Sequence, residues 1–205
     1  MITIFGMADS GNCYKPRLLM ALLGRPFRHV EVSWLDGGTA SPEFQRKSPI
    51  GKVPLIETPD GRVLPESNAI LFYLGEGTRF IPEDRFERAR MLAWMFFEQY
   101  SHEPNVAVRR SLLRYPEMAE MATPERLAAT LEGGRKALAV MEERLAAHDW
   151  LVDSGPSLAD IALYAYTHVA GEGGFDLSAT PGIGAWLARI EALDSYRPRD
   201  WLPDA

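Results

Sequence analysis

ITIFGMADSGNCYKPRLLMALL, residues 2–23, decides how the first part of this chain folds. ITIF is a short apolar run of strand type, and the segment from Cys13 to Leu23 is rich in helix formers. Ser10, Gly11 and Asn12 therefore form the turn that feeds a helix. Backbone N–H groups without helical partners and the positive end of the helix dipole point into such a turn. The same stretch holds Cys13, the single cysteine of 205 residues. A thiolate at a helix N-terminus is stabilised over its thiol, which makes the sulfur the obvious reactive atom. The spacing argues otherwise. Cys13 lies on the helix side of the turn and reads as a small packed hydrophobe. Ser10 has no neighbouring base and is a poor nucleophile, but its hydroxyl is a good donor to a sulfur that a ligand supplies.

Working outward, further strand-like runs follow at 27–32 (FRHVEV), 53–57 (VPLIE) and 62–64 (RVL), separated by helix-like segments. Pro59-Asp60-Gly61 marks a tight turn between the last two runs, which predicts antiparallel neighbours. The first two runs are joined through the helix. The predicted order is β-α-β-α-β-β-α over residues 1–77, a small α/β unit. TRFIPEDR, 78–85, reads as a linker, and from Phe86 to residue 205 no convincing strand appears, which predicts an all-α second domain.

In that domain, Ala89, Leu92, Ala93, Phe96, Phe97 and Tyr100 share one face of a helix over 86–100, while Met91, Trp94 and Met95 make the opposite face apolar too. A helix apolar on both sides is expected between layers or at a subunit interface. Further helices are predicted at 124–147, 157–169 and 181–192, with turns at Pro104, Pro116, Gly155-Pro156 and Gly171–Gly174. Ser157-Leu-Ala-Asp160 reads as a capping box and not as a catalytic pair.

Composition narrows the function. With 46% hydrophobic and 24% charged residues, a packed core is expected. A formal charge of −6 offers no general cationic field for nucleic acid or an anionic bilayer. One cysteine makes no internal disulfide, and His29, His102, His148 and His168 match no zinc-ligand spacing, so no metal is expected. The longest apolar run, LAWMFF at 92–97, is far too short to span a membrane, and the chain opens on a strand without a basic flank; a cytoplasmic protein is expected.

Two more stretches bear on a site. In SPIGKVPLIE, 48–57, Pro54 opens a strand without an N–H, leaving the main chain of Val53 to a peptide-like ligand. In LPESNAILFYL, 64–74, Ser67 is placed to cap a helix whose start would take a ligand carboxylate, with Glu66 beside it for an ammonium. In redox proteins of thioredoxin type, a C-x-x-C motif puts its first cysteine at the first turn; here the motif is S-x-x-C with Ser10 first.

In this order and spacing, SGNC-YK, GKVP and PESNAI resemble the glutathione-binding half of a cytosolic glutathione transferase. FFEQYSHEP (96–104), SLADIALYAYTHVA (157–170) and GGFDLS (173–178) resemble the helical half of bacterial members of theta-, nu- and beta-like type with a serine or asparagine active site. The resemblance covers nearly the whole chain. It implies a thioredoxin-like N-terminal domain at 1–77 that binds glutathione as co-substrate, and a helical domain at 86–205 contributing an electrophile pocket and a homodimer interface. Ser10 matches the family's donor to the glutathione sulfur, and Asn12 the asparagine that assists or replaces it. Val53, before a family-typical cis Pro54, would pair its main chain with the cysteinyl part. Glu66 and Ser67 match the pair that holds the γ-glutamyl end, and Lys52 is placed for a glutathione carboxylate. Met7, Ala8, Tyr100 and His102 are expected beside a small hydrophobic electrophile. Pro16 departs from the pattern, so the first helix is expected to start a residue or two late. The implied activity is transfer of glutathione to that electrophile, as in detoxification. The alternatives are glutathione-dependent reduction of disulfides or peroxides, and a non-catalytic binding module of the same fold.

Overall fold

Strand β1 (Ile2–Gly6) lies inside a four-stranded sheet. It pairs in parallel with β2 (Phe27–Glu31), Ile2 opposite Phe27, and antiparallel with β3 (Leu55–Glu57), Phe5 opposite Leu55. β4 (Val63–Pro65) completes the order β2-β1-β3-β4. The turn at Pro59-Asp60-Gly61 closes as expected: Gly61 takes φ 82°, and the Thr58 N–H donates to Arg62 O at 2.9 Å. Helices α1 (Gly11–Leu22), α2 (Pro42–Lys47) and α3 (Ser67–Gly75) fill the connections, with α1 packed on α3. This is the thioredoxin-like arrangement, and Ile4, Leu18, Leu55, Ile56, Ile70 and Leu71 are fully buried in it.

The computed structural model describes residues 1–203. By contacts the chain divides into two units, Met1–Glu76 with the segment from Leu193, and Gly77–Ala192. The division differs from the expected one at both ends of the helical half. Residues 78–85 belong to the second unit, where Phe80 O accepts the Leu158 N–H at 2.9 Å. The segment from Leu193 belongs to the first, because α1 buries Tyr14 and Arg17 and their donors need acceptors. The carbonyl of Arg197 takes the Tyr14 hydroxyl at 2.5 Å, and that of Trp201 takes an Arg17 N–H at 3.3 Å.

α1 also begins earlier than expected. Gly11 is its first residue and Pro16 lies in its second turn. Ser10 caps the helix, its Oγ accepting the Cys13 N–H at 3.3 Å, and this bond sets the start.

The second unit is helical throughout its regular elements: α4 (Arg85–Phe97), α5 (Glu103–Arg114), α6 (Pro124–Leu145), α7 (Leu158–Thr167) and α8 (Pro181–Glu191). Pro104 does not mark a turn. A π-helical turn over Glu98–His102 carries α4 into α5, and Pro104 sits in the first turn of α5, where its missing N–H costs no helical bond. The helix covered on every side is α7, all of whose residues are buried. α4 is covered on one face only, by way of Met91 and Met95, and leaves Phe86, Phe96 and, beyond its end, Tyr100 exposed. Asp160 reaches back to the Ser157 N–H at 2.8 Å as a capping box requires. It also accepts from Leu151 N at 3.1 Å and Trp186 Nε1 at 2.9 Å, so one carboxylate ties α7, α8 and the preceding loop.

α8 has no side-chain cap of its own at Thr180. Glu142 on α6 supplies one, accepting from Gly182 N at 3.0 Å and Ile183 N at 2.9 Å. Gly182 permits the approach, since a Cβ there would lie 2.6 Å from Ala146 N. Two residues on in the same helix, Gly184 has nothing within 4 Å of where its Cβ would be. We therefore expect Gly182→Ala to lower stability by about 1–3 kcal/mol through overpacking against backbone. Gly184→Ala should instead raise it by up to ~0.8 kcal/mol through helix propensity. Urea unfolding of the two variants beside the parent reads both signs.

Candidate functional site

The register of the sheet gathers three loops at one end. β1 ends at Gly6 where β3 begins, and β4 ends at Pro65 opposite Leu55. The turn Met7–Ser10, the Val53–Pro54 bend and Glu66 at the start of α3 therefore emerge together. The Met7–Ser10 turn is closed by the Ser10 N–H on Met7 O at 3.1 Å. The Val53–Pro54 bond is cis. Glu66 takes φ 72°, a left-handed backbone rarely tolerated by a side chain with a Cβ and of the kind found at ligand sites.

Ser10 uses one lone pair of its hydroxyl on the Cys13 N–H. A hydroxyl keeps its O–H as a donor in that arrangement. Two residues on, Asn12 Oδ1 accepts the Ser67 hydroxyl at 3.1 Å, a contact across 55 positions of sequence. That bond assigns the carbonyl end of the Asn12 amide from the network. Lys15 Nζ donates to Ser67 Oγ at 3.2 Å and to Asn68 Oδ1 at 3.4 Å. The starts of α1 and α3 are thus tied through Ser67, which donates to Asn12 and accepts from Lys15.

Ser67 is the first residue of α3 and not its cap; the cap position is Glu66, whose side chain makes no capping bond. The left-handed backbone at Glu66 turns the chain a residue earlier than expected and frees the Ser67 hydroxyl for Asn12. Lys52 is exposed, and its carbonyl is held by Ser48 Oγ at 3.2 Å, which orients the chain entering Val53.

Cys13 has no exposed surface and packs on Gly6, where an added Cβ would meet its Sγ at 2.9 Å. Burial pushes its thiol up to about 11, with the Ser10 contact a smaller opposing influence. It is a neutral packing group at physiological pH.

Of the four residues expected beside an electrophile, Met7 and Ala8 fall in the first unit, Tyr100 and His102 in the second. His102 is fully buried, its Nε2 3.0 Å from the Thr167 hydroxyl, and Thr167 donates to Leu163 O at 2.7 Å. The imidazole therefore donates through Nε2 and acts as a core group. Tyr100, two residues away, is 88% exposed, so the two do not share a surface. Two positions apart in a helical turn, they lie on nearly opposite sides, one toward the core and one toward solvent.

Sequence reasoning missed three groups. Lys15 is fully buried beneath the Ser67 contact; its signal was a lysine three residues after Asn12, on the same face of an otherwise apolar helix. Arg17, also fully buried, donates to Ala8 O at 2.6 Å and Cys13 O at 3.3 Å. Glu31 accepts the Ala8 N–H at 3.1 Å. The Ala8 peptide is held at both ends, and nothing local in the sequence announces it. Among the described residues no group of three or more His, Cys, Asp or Glu is placed to hold a metal, and no helix is long and apolar enough to cross a membrane.

Comparison with known proteins agrees with this geometry. The family model "Glutathione S-transferase, N-terminal domain" matches residues 9–76, and "Glutathione S-transferase, C-terminal domain" matches 91–194. A glutathione S-transferase crystal structure from Pseudomonas fluorescens superimposes with a TM-score of 0.93 at 46% identity, covering 97% of this chain and 98% of that one. The disulfide-bond oxidoreductase YfcG of Escherichia coli is 29% identical over 199 residues, 94% of this chain and 91% of that protein. A maleylacetoacetate isomerase of Rhizobium meliloti is 27% identical over 193 residues, 92% and 90% of the two chains. With both family models in register with the sheet, the tied helix starts and the helical unit, the chain belongs to the glutathione S-transferase family.

Proposed function

We propose that this protein binds glutathione at the loop end of its sheet, lowers the pKa of the bound thiol, and directs the thiolate at a small hydrophobic electrophile. The observation that carries this reading is the joined pair of helix starts: Ser10 with a donor hydrogen to give, and Asn12 and Lys15 meeting at Ser67. In this reading Ser10 donates to the glutathione sulfur and Asn12 assists. The main chain of Val53 pairs with the cysteinyl part, Glu66 and Ser67 hold the γ-glutamyl end, and Lys52 meets a carboxylate. A free thiol titrates near ~8.5, so little of it is thiolate at neutral pH. The Ser10 hydroxyl, an amide from Asn12 and the helix end are together asked, in a partly desolvated site, for a depression of ~2 units, or ~2.7 kcal/mol.

The reactive sulfur then belongs to the ligand. Cys13 is neutral, enclosed and on the inner side of α1. A cytoplasmic, reducing setting suits a chain with one buried thiol.

A second reading, reduction of a disulfide or peroxide by the same thiolate, gains support from the oxidoreductase relative. A non-catalytic module is disfavoured because Ser10, Asn12, Glu66 and Ser67 are all present in the chain. Homodimer formation fits the exposed stripe of α4 and its continuation: Phe86, Ala89, Ala93, Phe96 and Tyr100 follow helical spacing, with Phe86 and Phe96 each 70% exposed.

Titration of bound glutathione by its ultraviolet thiolate absorbance tests the main reading. We expect a thiolate signal at neutral pH in the parent, its loss in Ser10→Ala, partial loss in Asn12→Ala and little change in Cys13→Ala. Turnover of an aryl halide beside a disulfide and a hydroperoxide then separates transfer from reduction; activity on the aryl halide alone removes the second reading. Alkylation of native Cys13 should run about two orders of magnitude slower than that of free cysteine, from the difference between about 11 and the usual value. Rapid labelling that abolishes turnover of the parent would return the sulfur to the protein. Sedimentation should give about twice the 22.9 kDa chain mass, and Phe96→Asp a species of one chain.

A further inference from the structure

Residues 193–203 leave α8 and return to the first unit without regular structure beyond two turns, Tyr196 N on Leu193 O and Trp201 N on Pro198 O, both at 3.0 Å. Side chains fix it in place. The Phe27 and Trp201 rings meet edge to face at 5.9 Å, and the Arg197 guanidinium lies 5.8 Å from the centre of the Trp201 ring. What this segment touches is the underside of the Met7–Ser10 turn. Arg199 Nη1 pairs with Asp9 Oδ1 at 3.1 Å, and both side chains are largely buried, 18% and 23% exposed. Arg17 spreads its fork over three carbonyls: Ala8 at 2.6 Å and Cys13 at 3.3 Å, on either side of Ser10, and Trp201 at 3.3 Å. Tyr14, one turn beyond Ser10, donates to Arg197 O at 2.5 Å.

We infer that residues 197–201 are a working part of the sulfur site: through the Arg199–Asp9 pair and the Arg17 fork they fix the Met7–Ser10 turn in the position that aims the Ser10 hydroxyl. Asp9 adjoins Ser10 directly. The turn is also held by the Ser10 N–H on Met7 O, the Glu31 carboxylate on the Ala8 N–H and the Ser10 Oγ on the Cys13 N–H. The Arg199–Asp9 pair adds a charged contact at the residue next to Ser10. Arg199 and Asp9 are positioning residues, acting through Ser10. The inference rests on the reading that Ser10 meets the glutathione sulfur, and it adds to that reading a dependence on the far end of the chain.

Position and field predict different signs, which makes the test sharp. If the two side chains acted only by their charges, removing the cation in Arg199→Leu would raise the thiol pKa, and removing the anion in Asp9→Asn would lower it. If they act by holding the turn, either change raises it. We therefore titrate bound glutathione in full-length parent, Ser10→Ala, Arg199→Leu, Arg199→Lys, Asp9→Asn and the Asp9→Asn/Arg199→Leu double variant. Glutathione affinity by calorimetry and urea stability are followed in parallel. The expected result is a rise of about half to one unit in both single variants, which from a parent value near ~6.5 lowers the thiolate fraction at pH 7, and kcat/KM with it, by about 1.5–3-fold. Glutathione affinity should stay within ~2-fold, the double variant should match the singles because they share one contact, and Arg199→Lys should recover most of the effect.

Opposite shifts in Arg199→Leu and Asp9→Asn would overturn the inference in favour of a plain charge effect. So would parent-like titrations in both while Ser10→Ala loses the thiolate, an outcome that leaves the proposed function standing. If the parent shows no thiolate, or Ser10→Ala keeps it, the proposed function fails and the inference goes with it. A loss of urea stability without a titration shift marks the tail as a structural strap alone and also overturns it.

Discussion

The hydrogen bond from Ser67 to Asn12 joins two helix starts that the sheet brings to the same end, and the geometry of the site hangs on that junction. Each helix start has backbone donors without helical partners and a positive dipole end. Alone, either would be an ordinary surface feature. Joined, they set two groups of backbone donors side by side, from the turn after β1 to the start of α3. The register of β3 between β1 and β4 makes the junction possible, since it sets Val53, Ser10 and Glu66 at one edge. The left-handed backbone at Glu66 is the local cost of bringing the Ser67 hydroxyl to bear on Asn12 instead of on its own helix.

Beneath this strip α1 carries two fully buried cations, Lys15 and Arg17. Removing an ammonium and a guanidinium from water costs several kcal/mol each unless donors are satisfied. The two solve the problem differently. Lys15 finds side-chain oxygens on α3, while Arg17 finds main-chain carbonyls, one of them from the chain's end. A guanidinium fork suits that task because its donors are planar and fixed relative to each other. α1 is buried over most of its surface by closing polar groups against partners as much as by apolar packing. This explains why the tail joins the first unit.

The strands, the order β-α-β-α-β-β-α and the later helices were legible because period and turn chemistry are local: ITIF, Pro59-Asp60-Gly61 and Ser157-Leu-Ala-Asp160 each carry their own signal. The expectations that needed correction all depend on distant partners. Ser67 was read as a cap because helix starts favour serine, and the competing attraction of Asn12 is invisible at a separation of 55 residues. Pro104 read as a breaker, because a π-helical turn that delivers a proline into a first helical turn has no sequence signature. Ser10, Asn12 and Ser67 were legible as residues of interest through resemblance; Lys15, Arg17 and Glu31 were not, because their roles come from what they reach.

In the proposed function, the arrangement around Cys13 also explains how a turn suited to a protein thiol would serve a sulfur from outside. In S-x-x-C the first residue is the helix cap and the fourth is in the first turn, on the side facing β1. The cap position looks along the helix axis toward the ligand side, where the dipole favours an anion. The fourth position looks into the core, where burial disfavours one and pushes the thiol to about 11. Gly6 makes room for the sulfur, and the Cys13 N–H is committed to Ser10. The same bond that caps the helix orients the Ser10 oxygen, so its hydrogen must point elsewhere. In the proposed function, a serine at the cap puts a donor and no thiol at the electrostatically favoured place, the condition under which a ligand thiolate would be held instead of a protein one.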